Sequence, residues 1–206
     1  MIVSRKTLFL TGTDTDIGKT LVSAWLCKHF DLHYHKPVQT GALYDMDSLY
    51  VKRFHPDVHI VAEQYVFDEP ISPDLAALHA GVEIDDLIVP DIEPLLIEGA
   101  GGVMTPCTAT DTFIRFAQKN MLPVLLVAPS RVGNINHCCL AAHALRTHNV
   151  DLLGVIVCGA YNSDEHVLAI ERHARCKVLQ QCQFKELAQD SIQPSSDLQI
   201  AMEKVF

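Results

Sequence analysis

Residues Gly12–Thr20 read G-T-D-T-D-I-G-K-T and decide the fold of this chain. The run Thr7–Thr11 before them is short and rich in β-forming residues, and Lys19–Phe30 after them has apolar residues at helical spacing. A strand, a glycine-bearing loop and a helix in this order indicate a phosphate-binding loop, because free backbone N–H groups at a helix N-terminus attract phosphate oxygens. An ordinary turn between a strand and a helix is the alternative, and it does not explain the G-K-T sequence.

The first half of this loop departs from the usual phosphate-binding pattern. Gly12 stands one residue too early, Thr13 holds the position where a glycine is expected, and two aspartates lie where anions should bind. In the second half, Lys19 should neutralise β- and γ-phosphate oxygens, and the Thr20 hydroxyl should bind Mg²⁺. We therefore predict that the hydroxyls and carboxylates of the first half orient a second molecule near the point where the γ-phosphate is attacked.

Two common classes of phosphate-loop protein fit the sequence poorly. A GTPase would carry N-K-x-D to recognise guanine, and the sequence contains no such segment. The regulator-type ATPases with a K-G-G-x-G-K-T loop need a lysine at the position that Asp14 occupies here. Both classes are therefore disfavoured.

The composition of the chain limits its partners and its location. Its 206 residues, 49% of them hydrophobic, suit one domain that spans residues 1–206. A net charge of −9 argues against nucleic acid or an anionic membrane as a partner, because both attract basic surfaces. No apolar run approaches the roughly 18 residues that a membrane span needs. The seven cysteines include no C-x-x-C pair and predict reduced thiols in a cytoplasmic protein.

Apolar runs of strand length alternate with segments of helical spacing along the whole chain. The predicted strands are Thr7–Thr11, Leu32–Val38, Ile60–Phe67, Pro94–Ile97, Pro123–Val127 and Leu152–Val157. The predicted helices are Lys19–Phe30, Asp47–Phe54, Pro73–Ala80, Asp111–Asn120, Asn134–His148 and Asp164–Arg175. Continuously apolar strands between helices indicate a parallel sheet that is covered on both faces. The sequence therefore predicts an α/β fold, a three-layer, doubly wound and mostly parallel sheet of the P-loop NTPase type.

Three loops that follow predicted strands should meet at one edge of this sheet, where ligands of such folds bind. They are Gly12–Thr20, Lys36–Gly41 and Glu98–Gly102. Lys36 alone could be a surface lysine before a turn. Beside a phosphate-binding loop, however, two lysines that converge on one place suit phosphoryl transfer to a carboxylate-like group.

Carboxylates near the same edge are candidates to hold Mg²⁺. Glu98 directly follows an apolar strand, where a buried charge is costly unless it binds something. Asp47, early in the helix after the second strand, is a further candidate, with Asp45 as its competitor. Asp47 could equally be a solvated acid at a helix N-terminus.

Five motifs together resemble the dethiobiotin synthetase family, which catalyses the penultimate step of biotin synthesis. They are Gly12–Thr20 (GTDTDIGKT), Lys36–Gly41 (KPVQTG), Glu69–Pro73 (EPISP), Glu98–Gly102 (EGAGG) and Asn134–His137 (NINH). They occur in the family's order and cover roughly residues 5–160. The related amidases of cobalamin synthesis share the style of loop but are usually longer and carry a glutaminase domain.

The resemblance implies an ATP- and Mg²⁺-dependent ring closure of 7,8-diaminononanoate with CO₂ to dethiobiotin. One amine captures CO₂ as a carbamate, the carbamate attacks the γ-phosphate of ATP, and the second amine closes the ring of the resulting carbamoyl-phosphate anhydride and releases phosphate. The resemblance also implies a homodimer in which Asn136 contributes to the partner's substrate site. Two alternatives stay open: another ATP-dependent ligase or amidase of the same fold, and a non-catalytic nucleotide switch.

The same resemblance assigns roles to individual residues. Catalysis falls to Lys36, Lys19 and Thr15, and the substrate is held by Thr15, Lys36, Thr40, Ser72 and Asn136. The residues implied to bind ATP are Asp16, Ile17, Gly18, Lys19, Thr20, Leu21, Glu98, Gly99, Ala100 and Gly101. The Mg²⁺ ligands are Thr20, Asp47 and Glu98.

The sequence also departs from the family pattern. Cys158-Gly159 stands where an asparagine often reads adenine, although Asn162 follows, and Ser72-Pro73-Asp74 stands where S-P-H is expected. The tail after Arg175 lacks the G-x-I-P segment that often closes over the base. These departures leave the preference for a nucleotide base open.

Overall fold

The structure, a computed structural model, describes residues 6–159 and 163–206. The strands within these residues are β1 Thr7–Gly12, β2 His33–His35, β3 Val38–Gln39, β4 Ile60–Val61, β5 Tyr65–Val66, β6 Leu95–Gly102, β7 Val124–Pro129, β8 Leu152–Cys158 and β9 Val178–Cys182. The helices are α1 Lys19–Phe30, α2 Asp47–Phe54, α3 Pro73–Ala80, α4 Phe113–Lys119, α5 Asn134–Thr147, α6 Asp164–Ala174, α7 Phe184–Ala188 and α8 Ser196–Glu203.

Seven of the strands form one sheet in the order β4-β2-β6-β1-β7-β8-β9, and each neighbouring pair is parallel. A second small sheet pairs β3 with β5. β1 lies in the middle, between β6 and β7, so the phosphate-binding loop starts at the centre of the carboxyl edge. The predicted parallel α/β fold is confirmed.

The alternation of side chains along the strands divides the core into two layers. Phe9 of β1 packs in a cluster that also contains residues of α4, α5 and α6. Leu8 and Leu10 pack in a second cluster on the opposite face, with Trp25 of α1 and residues of α2, α7 and α8. The central sheet is thus covered by helices on both faces, as the continuously apolar strands predict. Among the described residues, no helix is both long and apolar enough to cross a bilayer.

Two predicted strands are wrong because each is divided. The segment Leu32–Val38 forms β2 and β3, and Pro37, which has no N–H for a ladder, lies between them. The segment Ile60–Phe67 forms β4 and β5, which belong to different sheets. The predicted helix at Asp111–Asn120 is shorter, because Thr112 is its extended N-terminal cap.

The predicted loop Glu98–Gly102 is instead the second half of β6. Its glycines let the strand lie against close neighbours, and Gly101 has a left-handed φ of 63° where the pairing with β1 becomes irregular. Gly102 pairs with Gly12, and a Cβ added to Gly99 would lie 2.8 Å from the ring of Phe9. Glu98 therefore lies within a buried strand, not after it.

The tail after Arg175 contains β9, α7 and α8, none of which the sequence predicts. β9 extends the sheet at the edge of β8, and its Gln180 is buried. The amide of Gln180 is satisfied locally, since Nε2 donates to the carbonyl of Gln181 and Oε1 accepts from the N–H of Ser195 at 2.7 Å. The tail is thus an integral part of the second core layer.

Candidate active site

The carboxyl ends of β1, β2 and β6 and the loops near them surround a cleft of about 1070 Å³. The predicted site residues that line it are Thr15, Asp16, Ile17, Gly18, Lys19, Thr20, Leu21, Lys36, Thr40, Asp47, Ser72, Ala100 and Gly101. Gln39, Tyr44, Tyr50 and Thr105 also line the cleft, although the sequence did not single them out. The structure therefore brings most of the predicted residues to one place.

The phosphate-binding loop ends at a glycine that the backbone requires. Gly18 has a left-handed φ of 90° at the N-terminal cap of α1, and no side chain caps this helix end. Free N–H groups of the first helical turn are therefore available to an anionic ligand. A Cβ at Gly18 would lie 2.5 Å from the ring of Phe184, so α7 closes one side of the loop.

Lys19 is bent back onto the loop itself. Its Nζ donates to the carbonyl of Asp14 at 2.9 Å, and the side chain is buried. Burial, followed by the nearby Lys36 ammonium, lowers the pKa of Lys19 to about 8. The two lysines therefore repel each other in this state, and a bound phosphate would relieve that repulsion.

The Asp14 carboxylate is paired with groups of the protein itself. Its carboxylate accepts from the N–H of Thr15 at 2.8 Å and from Arg131 at 2.6 Å. The hydrogen bond from Thr15 and the Arg131 guanidinium outweigh partial burial and lower the pKa of Asp14. Arg131, in the loop after β7, is a residue that sequence reasoning missed. It answers how a phosphate-binding loop tolerates an acid: the charge is paired with a guanidinium.

At the base of the cleft, Lys36, Asp47, Glu98 and Thr20 form one cluster. Lys36 Nζ forms ion pairs with Asp47 Oδ2 and, at 3.1 Å, with Glu98 Oε1. The Thr20 hydroxyl lies 2.8 Å from Asp47 Oδ1 and 3.0 Å from Glu98 Oε1. The four residues come from four segments: Thr20 ends the phosphate-binding loop, Lys36 follows β2, Asp47 begins α2, and Glu98 lies in β6. Asp47 is thus not merely a solvated helix acid. Its competitor Asp45 also lines the cleft, but it is exposed, pairs with Arg53 and does not join this cluster.

The charges in this cluster stabilise one another. Burial opposes ionisation of Lys36, but the Glu98 and Asp47 carboxylates outweigh it and raise the pKa of the lysine. Burial likewise opposes ionisation of Asp47, and Lys36 outweighs it, so the pKa of Asp47 is lowered. The lysine and the aspartate are therefore ionised at neutral pH.

Further side chains that sequence reasoning missed hold these carboxylates in place. Glu98 Oε2 accepts from Ser23 at 2.6 Å and from Tyr34 at 3.0 Å. The Gln39 side chain accepts from the backbone N–H of Asp47 at 3.0 Å, which fixes the start of α2. The spacing contained a signal for two of them, since Ser23 is one helical turn after Thr20 and Tyr34 is two strand positions before Lys36.

The oxygen atoms of this cluster fit Mg²⁺ in a nucleotide complex. In residues 6–159 and 163–206, no three His, Cys, Asp or Glu side chains gather as a metal site. Mg²⁺ usually binds one or two carboxylates plus substrate phosphates, however, and does not need an all-protein cage. Thr20, Asp47 and Glu98 supply such hard oxygen donors next to the phosphate-binding loop.

Three predicted site residues do not line the cleft. Glu98 and Gly99 lie beneath its surface in β6, where Glu98 acts on the cleft through Thr20 and Lys36. Asn136 is exposed on the first turn of α5. Its predicted role belongs to a partner's site, so its position outside this cleft does not test that role.

The structure shows where two of the segments that depart from the family pattern lie, Ser72-Pro73-Asp74 and Cys158-Gly159. Ser72, at the N-terminus of α3, lines the cleft, and its hydroxyl donates to Asp74 at 2.5 Å. Cys158 is buried, and its thiol lies 3.2 Å from that of Cys182. Asn162 lies outside the described residues.

A strand, a left-handed glycine and a helix that begins with Lys19-Thr20 define a protein of the P-loop NTPase class. Solved structures with the same fold include a ParA family ATPase from Chlorobium tepidum TLS (TM-score 0.55, 10% identity, 98% of both chains). Chloroplast FtsY from Physcomitrella patens is a second (TM-score 0.53, 13% identity, 98% of this chain and 65% of that one). A family model described as an AAA domain matches residues 6–189.

Closer relatives identify the family. The ATP-dependent dethiobiotin synthetase BioD of Lawsonia intracellularis is 39% identical over 179 residues, which cover 85% of this chain and 87% of that protein. The enzyme of the same name from Paramagnetospirillum magneticum is 40% identical over 179 residues, with the same coverage. The chain therefore belongs to the dethiobiotin synthetase family, and the resemblance seen in its motifs is confirmed.

Proposed function

We propose that this chain is an ATP-dependent ligase that carboxylates 7,8-diaminononanoate with CO₂ and closes the ring to dethiobiotin, releasing ADP and phosphate. The observation that carries the proposal is the convergence of Lys36, Asp47 and Glu98 on Thr20, at the foot of the phosphate-binding loop. This cluster shares a cleft with Ser72, on the wall where a second substrate would lie. The names of the two bacterial relatives support the same reaction.

The residues that hold ATP follow from the loop. The N–H groups at the start of α1 and the Lys19 ammonium bind the β- and γ-phosphates. Asp16, Ile17 and Leu21 line the cleft beside them. Thr20, Asp47 and Glu98 would hold Mg²⁺, which neutralises phosphate charge and orients the γ-phosphate when it is bound.

The diamine and its carbamate are assigned to the part of the cleft that Thr15, Lys36, Thr40 and Ser72 line. Thr15, Thr40 and Ser72 supply hydroxyl and backbone groups to the substrate, and Lys36 stabilises negative charge on the carbamate and on the phosphoryl group in transfer. An amine adds to CO₂ and loses one proton. The carbamate oxygen then displaces ADP from the γ-phosphorus. The second amine displaces phosphate from the carbonyl carbon and loses one proton. Every bond formed replaces one that breaks.

Three further properties complete the proposal. Residues 1–206 act as one domain, supported by the single central sheet that includes both β1 and β9. The enzyme works as a homodimer in which Asn136, exposed on α5, reaches the partner's substrate. It works in the cytoplasm, where reducing conditions suit its seven free cysteines.

Product analysis tests the reaction directly. Purified protein is mixed with Mg-ATP and bicarbonate, with and without 7,8-diaminononanoate, and phosphate and dethiobiotin are quantified. We expect one phosphate per dethiobiotin and little phosphate without the diamine. A control diamine with distant amines, 1,8-diaminooctane, should yield no cyclic urea. Phosphate release that ignores the diamine would point to another ligase or ATPase, and the absence of any release would point to a nucleotide-binding switch.

A further inference from the structure

The Glu98 carboxylate is bound by different elements at its two oxygens. Oε1 accepts from Thr20 at 3.0 Å and from Lys36 at 3.1 Å, and both of these side chains line the cleft. Oε2 accepts from the Ser23 and Tyr34 hydroxyls at 2.6 and 3.0 Å. Neither Ser23 nor Tyr34 lines the cleft, and both are 0% exposed. One oxygen thus belongs to the site and the other to the protein interior.

The fold determines this division. β2 pairs with β6 so that Tyr34 lies opposite Leu96, and the alternation of side chains then places Tyr34 on the same face of the sheet as Glu98. That face is covered by α1, where Ser23 follows Thr20 by about one turn. The buried hydroxyls of Tyr34, from a strand, and Ser23, from a helix, therefore contact Oε2. Thr20, on the part of α1 that lines the cleft, contacts Oε1.

A glutamate needs such contacts to present one particular oxygen. The last torsion of its side chain joins an sp³ to an sp² carbon and has no sharp intrinsic preference. The hydroxyls of Ser23 and Tyr34 are neutral donors, so they orient the carboxylate without cancelling its charge. In metal sites, hydrogen bonds of this kind to a ligand's outer atom set the ligand's orientation and the affinity for the metal.

We propose that Tyr34 and Ser23 are positioning residues that lock the Glu98 carboxylate, so that Oε1 is presented to the Mg²⁺ of bound ATP. This inference rests on the proposed function only for the identity of Glu98 as a ligand of that metal. Neither hydroxyl contacts a substrate; each acts through Glu98.

The test measures metal binding apart from turnover. Tyr34→Phe and Ser23→Ala each remove one hydroxyl. Tyr65→Phe is the matched control, because the Tyr65 hydroxyl accepts only from the N–H of Asp85 among the described hydrogen bonds, and its ring packs against the core cluster of Phe9, not the one that contains Tyr34. Binding of Mn²⁺, a Mg²⁺ substitute, is followed by electron paramagnetic resonance in the presence of a non-hydrolysable ATP analogue. We expect the Kd for Mn²⁺ to rise about 10-fold in each single variant. The double variant should lose more than the two single effects combined, since one hydroxyl partly replaces the other.

Turnover gives a second readout. The Mg²⁺ concentration for half-maximal dethiobiotin formation should rise in parallel, while kcat at saturating Mg²⁺ and the KM for the diamine stay within about threefold of wild type. Tyr65→Phe should match wild type throughout. If Tyr34→Phe fails to fold, Ser23→Ala decides alone.

The outcomes separate this inference from the proposed function. Variants that fold and bind Mn²⁺ with wild-type affinity overturn the positioning role, even when wild type makes dethiobiotin. Loss of kcat with an unchanged metal requirement also overturns it. If wild type binds the metal–nucleotide complex but makes no dethiobiotin, the proposed function fails, and the Mn²⁺ measurements still decide the inference.

Discussion

Replacing Lys36 by methionine should separate its structural role from its chemical one. The side chain of Lys36 is 6% exposed and is the only cation paired with Glu98, whose side chain is 0% exposed, among the described ion pairs. Breaking a buried pair by removing one partner costs about 3–5 kcal/mol. The hydroxyls of Thr20, Ser23 and Tyr34 still donate to Glu98 in the variant, so we expect the lower limit, about 3 kcal/mol. For a chain of this size that loss corresponds to a fall in Tm of roughly 6–12 °C.

The double variant Lys36→Met/Glu98→Gln is the control. A neutral amide in place of Glu98 removes the more deeply buried of the two carboxylates that lose Lys36, so about 2 kcal/mol of the loss should return. Dethiobiotin formation should not return, because both variants lack the Lys36 ammonium; loss of such a charge-stabilising group costs roughly 10²–10³ in rate. Stability and activity should therefore diverge between the two variants.

Urea unfolding can be followed through Trp25, the one tryptophan of the chain, which is fully buried. Phosphate release that depends on the diamine gives the activity. The reasoning is wrong if Lys36→Met is as stable as wild type, or if the double variant is no more stable than the single one. The proposed catalytic role is wrong if either variant turns over at the wild-type rate.

The other predictions concern the phosphate-binding loop and the tail. Gly18→Ala should weaken ATP binding about 10-fold, because a left-handed alanine costs roughly 1–2 kcal/mol and its Cβ would contact Phe184. Titration with a fluorescent ATP analogue measures this affinity. Adding Phe184→Ala should restore only part of it, because the backbone strain remains. Thr20→Ser should keep the rate of dethiobiotin formation within about threefold of wild type, whereas Thr20→Val should lower it about 100-fold. The assay is phosphate release that depends on the diamine. Equal rates in the two variants would exclude a role for the hydroxyl. Burial raises the pKa of Asp190, but pairing with Lys28 and with His29 outweighs burial and lowers that pKa. These pairs therefore stabilise the fold above about pH 4, and the gain is lost as the pH falls through the lowered pKa. Asp190→Asn should cost about 0.5–1 kcal/mol of unfolding free energy near pH 7, and progressively less as the pH falls below about 4. Urea unfolding with a cost that does not change with pH would contradict this.

Local signals predicted the elements that frame the cleft. The helices α1, α2 and α3 have their predicted bounds. In α3 the reason is visible, since Pro73 suits the first helical position and Gly81 ends the helix with a left-handed φ of 65°. The converging motifs also led to the cluster around Thr20, because loops that follow parallel strands meet at one edge.

What the sequence missed depends on contacts between distant segments. The pairing that continues β6 through Gly99–Gly102 depends on neighbours that leave little space for a Cβ at its glycines, and local propensity does not encode those neighbours. The pairing of Asp14 with Arg131 joins residues 117 positions apart. Strand β9 was missed because its two glutamines interrupt the apolar run, although Gln180 is satisfied once Ser195 packs beside it.

The central position of β1 has a consequence for how the chain matures during synthesis. Leu8 and Leu10 are synthesised well before β6 and β7, yet in the fold they are 0% exposed and β1 is flanked by these two later strands. The surroundings of Gly18 are completed later still, because its neighbour Phe184 belongs to α7. At about 5–20 residues per second, translation takes roughly 8–33 s to proceed from one to the other. The phosphate-binding loop is thus translated well before the residues that complete its surroundings, and a nascent chain carries an apolar, unpaired β1 until β6 and β7 have been made.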